Sequence, residues 1–351
     1  MSRRNRSRIL FVLILVLFVV SNFYRLPYYV QKAGTARELQ QMIEVEGGYK
    51  NEGKLMLTTV RMGQANIYTY ALAKFKKYED LIPIEEVRPE EESEEEYHVR
   101  QLYNMEHSKH NAIQMAYRKA NKPYHFTYKG VYVLHVKKDM PAADILKAGD
   151  RITKLDGHKF TSSEQFINYL KDKQAGDVVK VTFIRKDKEQ TKEIKLSRFD
   201  HFDEERVGLG IGLVDDRELS SDPPVKLESE EIGGPSAGLM FSLEIYNQLT
   251  KKDYTHGYQI AGTGTISPEG EVGRIGGIHL KVIAADKAGA DIFFAPDDEI
   301  DETMKKQFPG MVSNYEEALA TAKEIGTDMK IIPVKTFDDA IAYLESLEEG
   351  K

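Results

Sequence analysis

Hydrophobic positions along this chain change period several times, and each change marks an element. Residues 9–20 are unbroken apolar sequence, preceded by Arg3, Arg4, Arg6 and Arg8 and extended by Phe23 and Tyr24. An apolar run with an aromatic end predicts an uncleaved transmembrane anchor over 9–26, with 1–8 as a cytoplasmic tail. A cleaved signal peptide needs small residues at its cleavage site, and residues 22–27 offer none. The positive-inside rule then places everything after Tyr24 outside the cell. Residues 42–60 read as strands, with a turn at Gly47-Gly48, and 68–77 reads as a short helix. The acidic run at 90–96 reads as a solvated loop or a helix start. Residues 97–120 carry a helical pattern through Met105, Ala112, Ile113, Met115, Ala116 and Ala120. Asn121-Lys122-Pro123 ends it.

A compact set of elements follows. Residues 130–136 alternate as a strand, Pro141-Ala142-Ala143 opens a short helix, and 146–157 give a strand and a turn. A helix at 163–170 and strands at 178–185 and 192–196 complete the set. After Arg198 the pattern changes to a strand at 207–214 and an exposed link through Pro223-Pro224. Residues 233–238 then read GGPSAG and lead into an apolar helix holding Leu239, Met240, Phe241, Leu243, Ile245 and Leu249. Beyond it lie a strand at 258–266, a hairpin around Pro268-Glu269-Gly270, and GGIHLK at 276–281 opening a second helical run, 282–288. Short strands at 291–295 and 330–334 and helices at 314–325 and 337–347 end the chain. Strands alternating with helices predict a sheet covered by helices, an α+β chain of more than one domain.

Composition narrows the chemistry. The chain has 351 residues, 30% charged and 41% hydrophobic, and a net charge of −7. No basic patch suggests a nucleic-acid partner. The absence of cysteine excludes thiol catalysis, disulfides and cysteine metal sites. His107 and His110 lie three apart on the 97–120 helix, but no third ligand is evident, so no metal is expected. No G-x-x-x-x-G-K-[ST] loop is present, so neither nucleotide nor any other cofactor is expected.

The strongest chemical signal is Ser236, in a glycine and proline turn at a helix start. Backbone N–H groups and the positive end of the helix dipole lie there and can stabilise an oxyanion. Serine is also an ordinary helix cap. The motif fits the G-x-S-x-G elbow of α/β-hydrolases, but the preceding residues carry Lys226, Glu228, Glu230 and Glu231 instead of a buried strand. The only later histidines, His256 and His279, leave no room for the order serine, acid, histidine. A serine without a histidine needs another base; a lysine is the obvious candidate, and Lys281 follows Ser236 by 45 positions.

Three elements in this order resemble the Lon-type serine peptidases. Gly234-Pro235-Ser236-Ala237-Gly238 matches their nucleophile turn. Thr263, in AGTGTI at 261–266, matches the Thr-Gly end of a shared strand. Gly276-Gly277 with Lys281 matches the lysine element. Lys-Asp is usual before GPSAG and Glu after Thr-Gly; this chain has Ile232-Gly233 and Thr265 there. The resemblance implies a Ser236–Lys281 dyad with Thr263 holding the amine, and the backbone N–H of Gly234 or Ser236 is a candidate oxyanion donor. A second resemblance, to bacterial protease-associated PDZ domains, rests on Gly130, Pro141-Ala142, Leu146 with Gly149-Asp150, Asp156-Gly157 and Gly176. It implies a peptide added as an extra strand, its carboxylate facing N–H groups of Lys129, Gly130 and Val131.

Met105, Ser108, Ala112 and Ala116 resemble a helix early in the Lon-type fold. The expected architecture is therefore a transmembrane helix, then a Lon-type domain (ribosomal protein S5 domain 2-like) with a PDZ domain inserted. Its first peptidase segment is 40–122, the PDZ domain 125–198 and the second peptidase segment 200–349. Three domains in series is the alternative. The layout resembles the PDZ-containing Lon-like proteases of Gram-positive bacteria, the YlbL and SepM type. It implies a single-pass cell-membrane enzyme, ATP-independent, that cleaves peptides or proteins at the cell surface, with self-assembly plausible. The rival from another class is a membrane-tethered PDZ adaptor whose peptidase fold is structural.

Overall fold

The computed structural model describes residues 3–199, 207–229 and 232–347, with side chains described from residue 9 onward. Helix α1 (Arg3–Phe23) leads into strands β1 (Arg25–Glu38), β2 (Ile43–Val45) and β3 (Lys54–Asn66). Helix α2 (Ile67–Ala73), strand β4 (Glu79–Pro83), and helices α3 (Ile84–Val87) and α4 (Glu94–Lys119) follow. The middle third holds β5 (Tyr124–Val136), β6 (Arg151–Leu155), α5 (Ser163–Lys171), β7 (Val178–Arg185), β8 (Lys188–Lys195), β9 (Ser197–Arg198), β10 (Val207–Gly208) and β11 (Ile211–Ser221). The last third begins with β12 (Val225–Leu227), α6 (Gly238–Leu249), β13 (Gln259–Gly262), β14 (Thr265–Ile266), β15 (Val272–Gly273) and α7 (Ile278–Lys287). It closes with β16 (Ile292–Pro296), α8 (Glu302–Gln307), α9 (Asn314–Ile325), β17 (Lys330–Val334) and α10 (Phe337–Glu345).

Two sheets organise this mixed α/β molecule. The first has six strands in the order β17-β16-β13-β3-β1-β4. Its β17, β16, β13 and β3 run parallel, and β3, β1 and β4 alternate antiparallel. Because β13 pairs with β3 from Gln259↔Lys54 to Gly262↔Leu57, segments far apart in sequence share one sheet. The second sheet, antiparallel in the order β11-β5-β6-β7-β8, is built wholly from the intervening chain. Its first and last strands meet at Ser221↔Tyr124, and Asp222 N–H donates to Pro123 O at 3.0 Å. Each sheet has its own apolar core. Leu57, Phe241, Ile260 and Phe294 belong to the first; Val133, Phe166, Val181 and Phe183 belong to the second.

Helix α6 is buried nearly all round, and the polar side chains it carries there, Glu244, Asn247 and Gln248, are hydrogen-bonded. Leu239, Met240, Phe241 and Ile245 are fully buried, between α4 and the first sheet. Helix α4 starts where Ser93 and Glu96 cap each other's backbone N–H groups, so the acidic run begins the helix. The residues buried along it include Met105, Ser108, Ala112 and Ala116.

Two expectations are corrected. Among the described residues no helix is long and apolar enough to cross a membrane. Helix α1 has 21 residues, but its unbroken apolar stretch is only 9–20. At about 1.5 Å per residue that covers roughly 18 Å, against about 30 Å of hydrocarbon. The N-terminal transmembrane helix is therefore not part of this fold. The assignment to a single-pass cell-membrane protein, cytoplasmic N-terminus and extracellular catalytic domain, goes with it. The tail at 1–8 lies largely outside the described residues: nothing is described for 1–2, nor the side chains of 3–8. The second correction concerns β1, which sits inside the first sheet although the sequence pattern starts that unit at 40. Its burial alternates only weakly, so it lacks a strong strand signature.

Candidate active site

The nucleophile turn is held from three sides. Gly234, at φ +87°, takes a conformation that favours glycine, and its N–H donates to Gln101 O of α4 at 2.9 Å. Ser108 of α4 donates its hydroxyl to Pro235 O at 2.9 Å. On the far side, Gly264 N–H and the Thr263 hydroxyl both donate to Ser236 O at 2.9 Å. Gly238 is fixed by contact: an added Cβ would lie 2.8 Å from Ile266 Cγ2 and 2.9 Å from Ser108 Oγ. These contacts tie the turn to both α4 and the end of β13.

Lys281 reaches the same point from α7, whose N-cap is Gly277 at φ +65°. Its side chain is buried, 2% exposed. The amine lies 2.7 Å from Ser236 Oγ and 2.9 Å from Thr263 Oγ1. Burial lowers its pKa to about 7. An ammonium loses its hydration here without gaining a carboxylate partner, so the neutral amine is favoured. The position in the first turns of α7 acts in the same direction. A neutral amine has a lone pair that can accept the Ser236 proton, while its own N–H groups point at Thr263.

Ser236, Lys281, Thr263 and Gly234 thus lie in one constellation. Gly234 plays a different part from the one expected, because its N–H is committed to Gln101. The N–H of Ser236 makes no hydrogen bond to a described residue and remains a candidate oxyanion donor. A cavity of about 520 Å³ adjoins the pair; its walls include Met105, Ile232, Gly233, Thr58, Arg37 and Arg61.

Lys129, Gly130 and Val131 lie elsewhere, in β5. That strand is interior: Val131 pairs with Asp215 of β11 on one side and Ile152 of β6 on the other. Gly130 pairs with Asp216, and a Cβ there would meet Ile152 O at 2.4 Å. Lys129 forms an ion pair with Glu218 of β11. An extra strand has no open edge at these residues. The outer strands of that sheet are β11 and β8, and β11 is the one that lies beside β5. Ile211 and Leu213 of β11 share an apolar cluster with Phe166, Tyr169 and Leu170 of α5. The Asp215 carboxylate accepts Ser163 N–H at the start of α5, at 2.7 Å.

The histidines stand apart from Ser236. His107 approaches Asn111 and His110 approaches Glu106, and among the described residues no group of three or more histidine and acidic side chains has an arrangement that could hold a metal ion. His279 points to Asp80 at 3.0 Å and Glu317 at 2.9 Å. Those two acids, Asp80 first, raise its pKa to about 9. Sequence reasoning weighed His279 only as a triad member. Its role as a clamp between β4, α7 and α9 depends on contacts with no local signal.

A PDZ domain model matches residues 101–196. A model of the Lon protease (S16) C-terminal proteolytic domain matches residues 231–344. The Lon protease of Metamycoplasma arthritidis is 32% identical over 111 residues, 32% of this chain and 11% of that protein. That of Campylobacter concisus is 37% identical over 109 residues, 31% of this chain and 11% of that protein. The chain thus spans only a small part of the length of these relatives. The PDZ domain of an SdrC-like protein from Listeria monocytogenes is 49% identical, covering 25% of this chain and 90% of that one, with a TM-score of 0.24. The chain carries a Lon-type serine peptidase domain and a PDZ domain, consistent with a PDZ-containing Lon-like protease.

Proposed function

We propose that this protein is an ATP-independent serine endopeptidase in which Ser236 is the nucleophile and Lys281 the general base. The observation that carries the reading is a buried amine 2.7 Å from a serine hydroxyl at a helix start. Ser236 Oγ attacks the peptide carbonyl as its proton passes to Lys281 Nζ. The C–O⁻ formed lies by the Ser236 N–H. The resulting ammonium returns the proton to the leaving amine as the C–N bond breaks. Water then enters, gives a proton to the neutral Lys281 amine and attacks the acyl-enzyme; Lys281 reprotonates Ser236 Oγ as the ester breaks. Thr263 keeps Nζ on its path.

The second sheet is the substrate-holding module, and residues 124–221 are an insertion between two segments of the peptidase. A peptide would add along β11, facing α5, where Ile167 is an exposed apolar contact at 44%. The substrates on this reading are peptides and flexible protein segments.

Mass spectrometry of peptides incubated with wild-type protein and with Ser236→Ala, without nucleotide, tests the function. Cleavage should be lost in Ser236→Ala and restored by wild type with no ATP present. Products that persist in Ser236→Ala would end the serine mechanism, and dependence on added ATP would end the nucleotide-free one.

A further inference from the structure

We propose that the peptidase site prefers substrates with an acidic side chain about three residues from the cut bond, and that Arg61 sets this preference. The inference rests on the Ser236–Lys281 reading for the position of the cut bond. The described walls of the cavity beside Ser236 include Arg37, Arg61 and Lys281 and no carboxylate. Among these, Lys281 is buried and occupied with Ser236 and Thr263. Arg61 is exposed, and its side chain makes no hydrogen bond or ion pair with a described residue. Its guanidinium therefore presents a fixed charge and a planar set of donors to whatever fills the cavity, a good match to a carboxylate.

Strand geometry supplies the distance. Pairing of β3 with β13 ends at Gly262↔Leu57, and the Thr58 hydroxyl donates to Gly262 O at 3.1 Å, next to Thr263. Beyond that point β3 continues to Arg61 with β1 on one side only. Three strand residues from Thr58 to Arg61 cover about 10 Å, the length of about three residues of an extended substrate. Carboxylates in the substrate would be drawn to this rim, and basic side chains at the same position would be repelled.

The test uses peptides that the protein cleaves, remade as pairs differing only by Glu or Gln at each position flanking the cut. In wild type, kcat/KM for the Glu member should exceed that of the Gln member by roughly fivefold at one position about three residues from the cut, as for a solvent-accessible ion pair. The ratio should fall to near one in Arg61→Gln, recover partly in Arg61→Lys, and shrink as salt is raised. A ratio near one in wild type, or one unchanged in Arg61→Gln, overturns the proposal. Cleavage that survives Ser236→Ala would refute the serine–lysine reading alone, because the Glu-to-Gln ratio still reports on Arg61. If no peptide is cut, fluorescence anisotropy of labelled peptides scanned with the same Glu and Gln pairs on Ser236→Ala protein gives the answer. Tighter binding of Glu members that disappears with Arg61→Gln supports the proposal, and equal binding of both members overturns it.

Discussion

On the proposed mechanism Lys281 must be buried to work, and burial makes it a liability to the fold. Its pKa is about 7 in the folded chain and 10.5 as the ordinary value. Between those values the unfolded chain binds a proton that the folded chain does not, so stability rises with pH from about 7 to about 10.5. Below about 7 both states carry the proton, and the full cost of a buried ammonium is felt. Lys281→Met keeps the length of the side chain and removes the charge. Its melting temperature should exceed that of wild type at pH 6, by a margin that narrows toward pH 10. Cleavage should drop by about a hundredfold or more, the usual scale for losing a general base. In wild type, kcat/KM should rise with pH along a limb centred near 7, as the amine becomes neutral. A melting gain that does not vary with pH would mean that Lys281 is not the buried charge described.

At the scale of elements, the site depends on three helices meeting one turn. Helix α4 supplies Gln101 O and Ser108 Oγ, α6 starts from the turn, and α7 delivers the amine. The position of α7 is fixed partly by His279, whose two ring nitrogens face Asp80 beside β1 and Glu317 of α9. Both contacts together need the imidazolium. Its folded pKa, about 9, is above the ordinary 6.5, so the stabilisation is complete below about 6.5 and is lost as pH rises through about 9. His279→Gln should therefore melt lower than wild type at pH 6, with a difference that closes by about pH 10. An equal deficit at both values would assign His279 a packing role only.

What the sequence made legible follows the reach of each signal. GGPSAG and GGIHLK are local: glycine and proline dictate turns without help from the rest of the chain, and Ser236 and Lys281 stand out there. Helix α4 was equally plain from residue 97 onward, since its apolar period lies within one stretch; its Ser93–Glu96 cap sits in the acidic run, which read as a solvated loop or a helix start. Strand β1 was hidden because its faces are only partly buried and a stronger apolar run precedes it. The apolar run itself suggested a span that its length does not support. The edge that β11 gives the second sheet was missed for another reason. Which strand is outermost depends on β11 pairing with β5 from about eighty positions downstream, so Gly130, a conspicuous glycine, drew attention to an interior strand.

At the scale of the molecule, the two sheets are joined with little shared backbone. Tyr124 and Ser221 are directly paired, and Pro123 O accepts Asp222 N–H, so the chain leaves the first unit and returns to it at one place. Strand partners β3 and β13 lie outside this excursion, and so do Gln101, Ser108, Ser236, Thr263 and Lys281. Gln248 of α6 adds a second tie between the early and late segments, receiving Val45 N–H and donating to Ile43 O. Replacing residues 124–221 by a link of a few glycine and serine residues should therefore leave a chain that unfolds cooperatively. That chain should still cut short peptides within about an order of magnitude of the wild-type rate, because chemistry and binding energy beside Ser236 are retained. It should lose the advantage of longer substrates that engage β11 and α5, seen as a higher KM for them alone. The exposed face is the main cost: Tyr103 of α4 stacks on Tyr132 of β5 with ring centroids 5.7 Å apart and donates to Asp215 O. Tyr103→Gln in the shortened chain should restore solubility without changing the rate. Loss of cooperative unfolding even with that change would show that the second sheet is a structural part of the peptidase and not a separable holder of substrate.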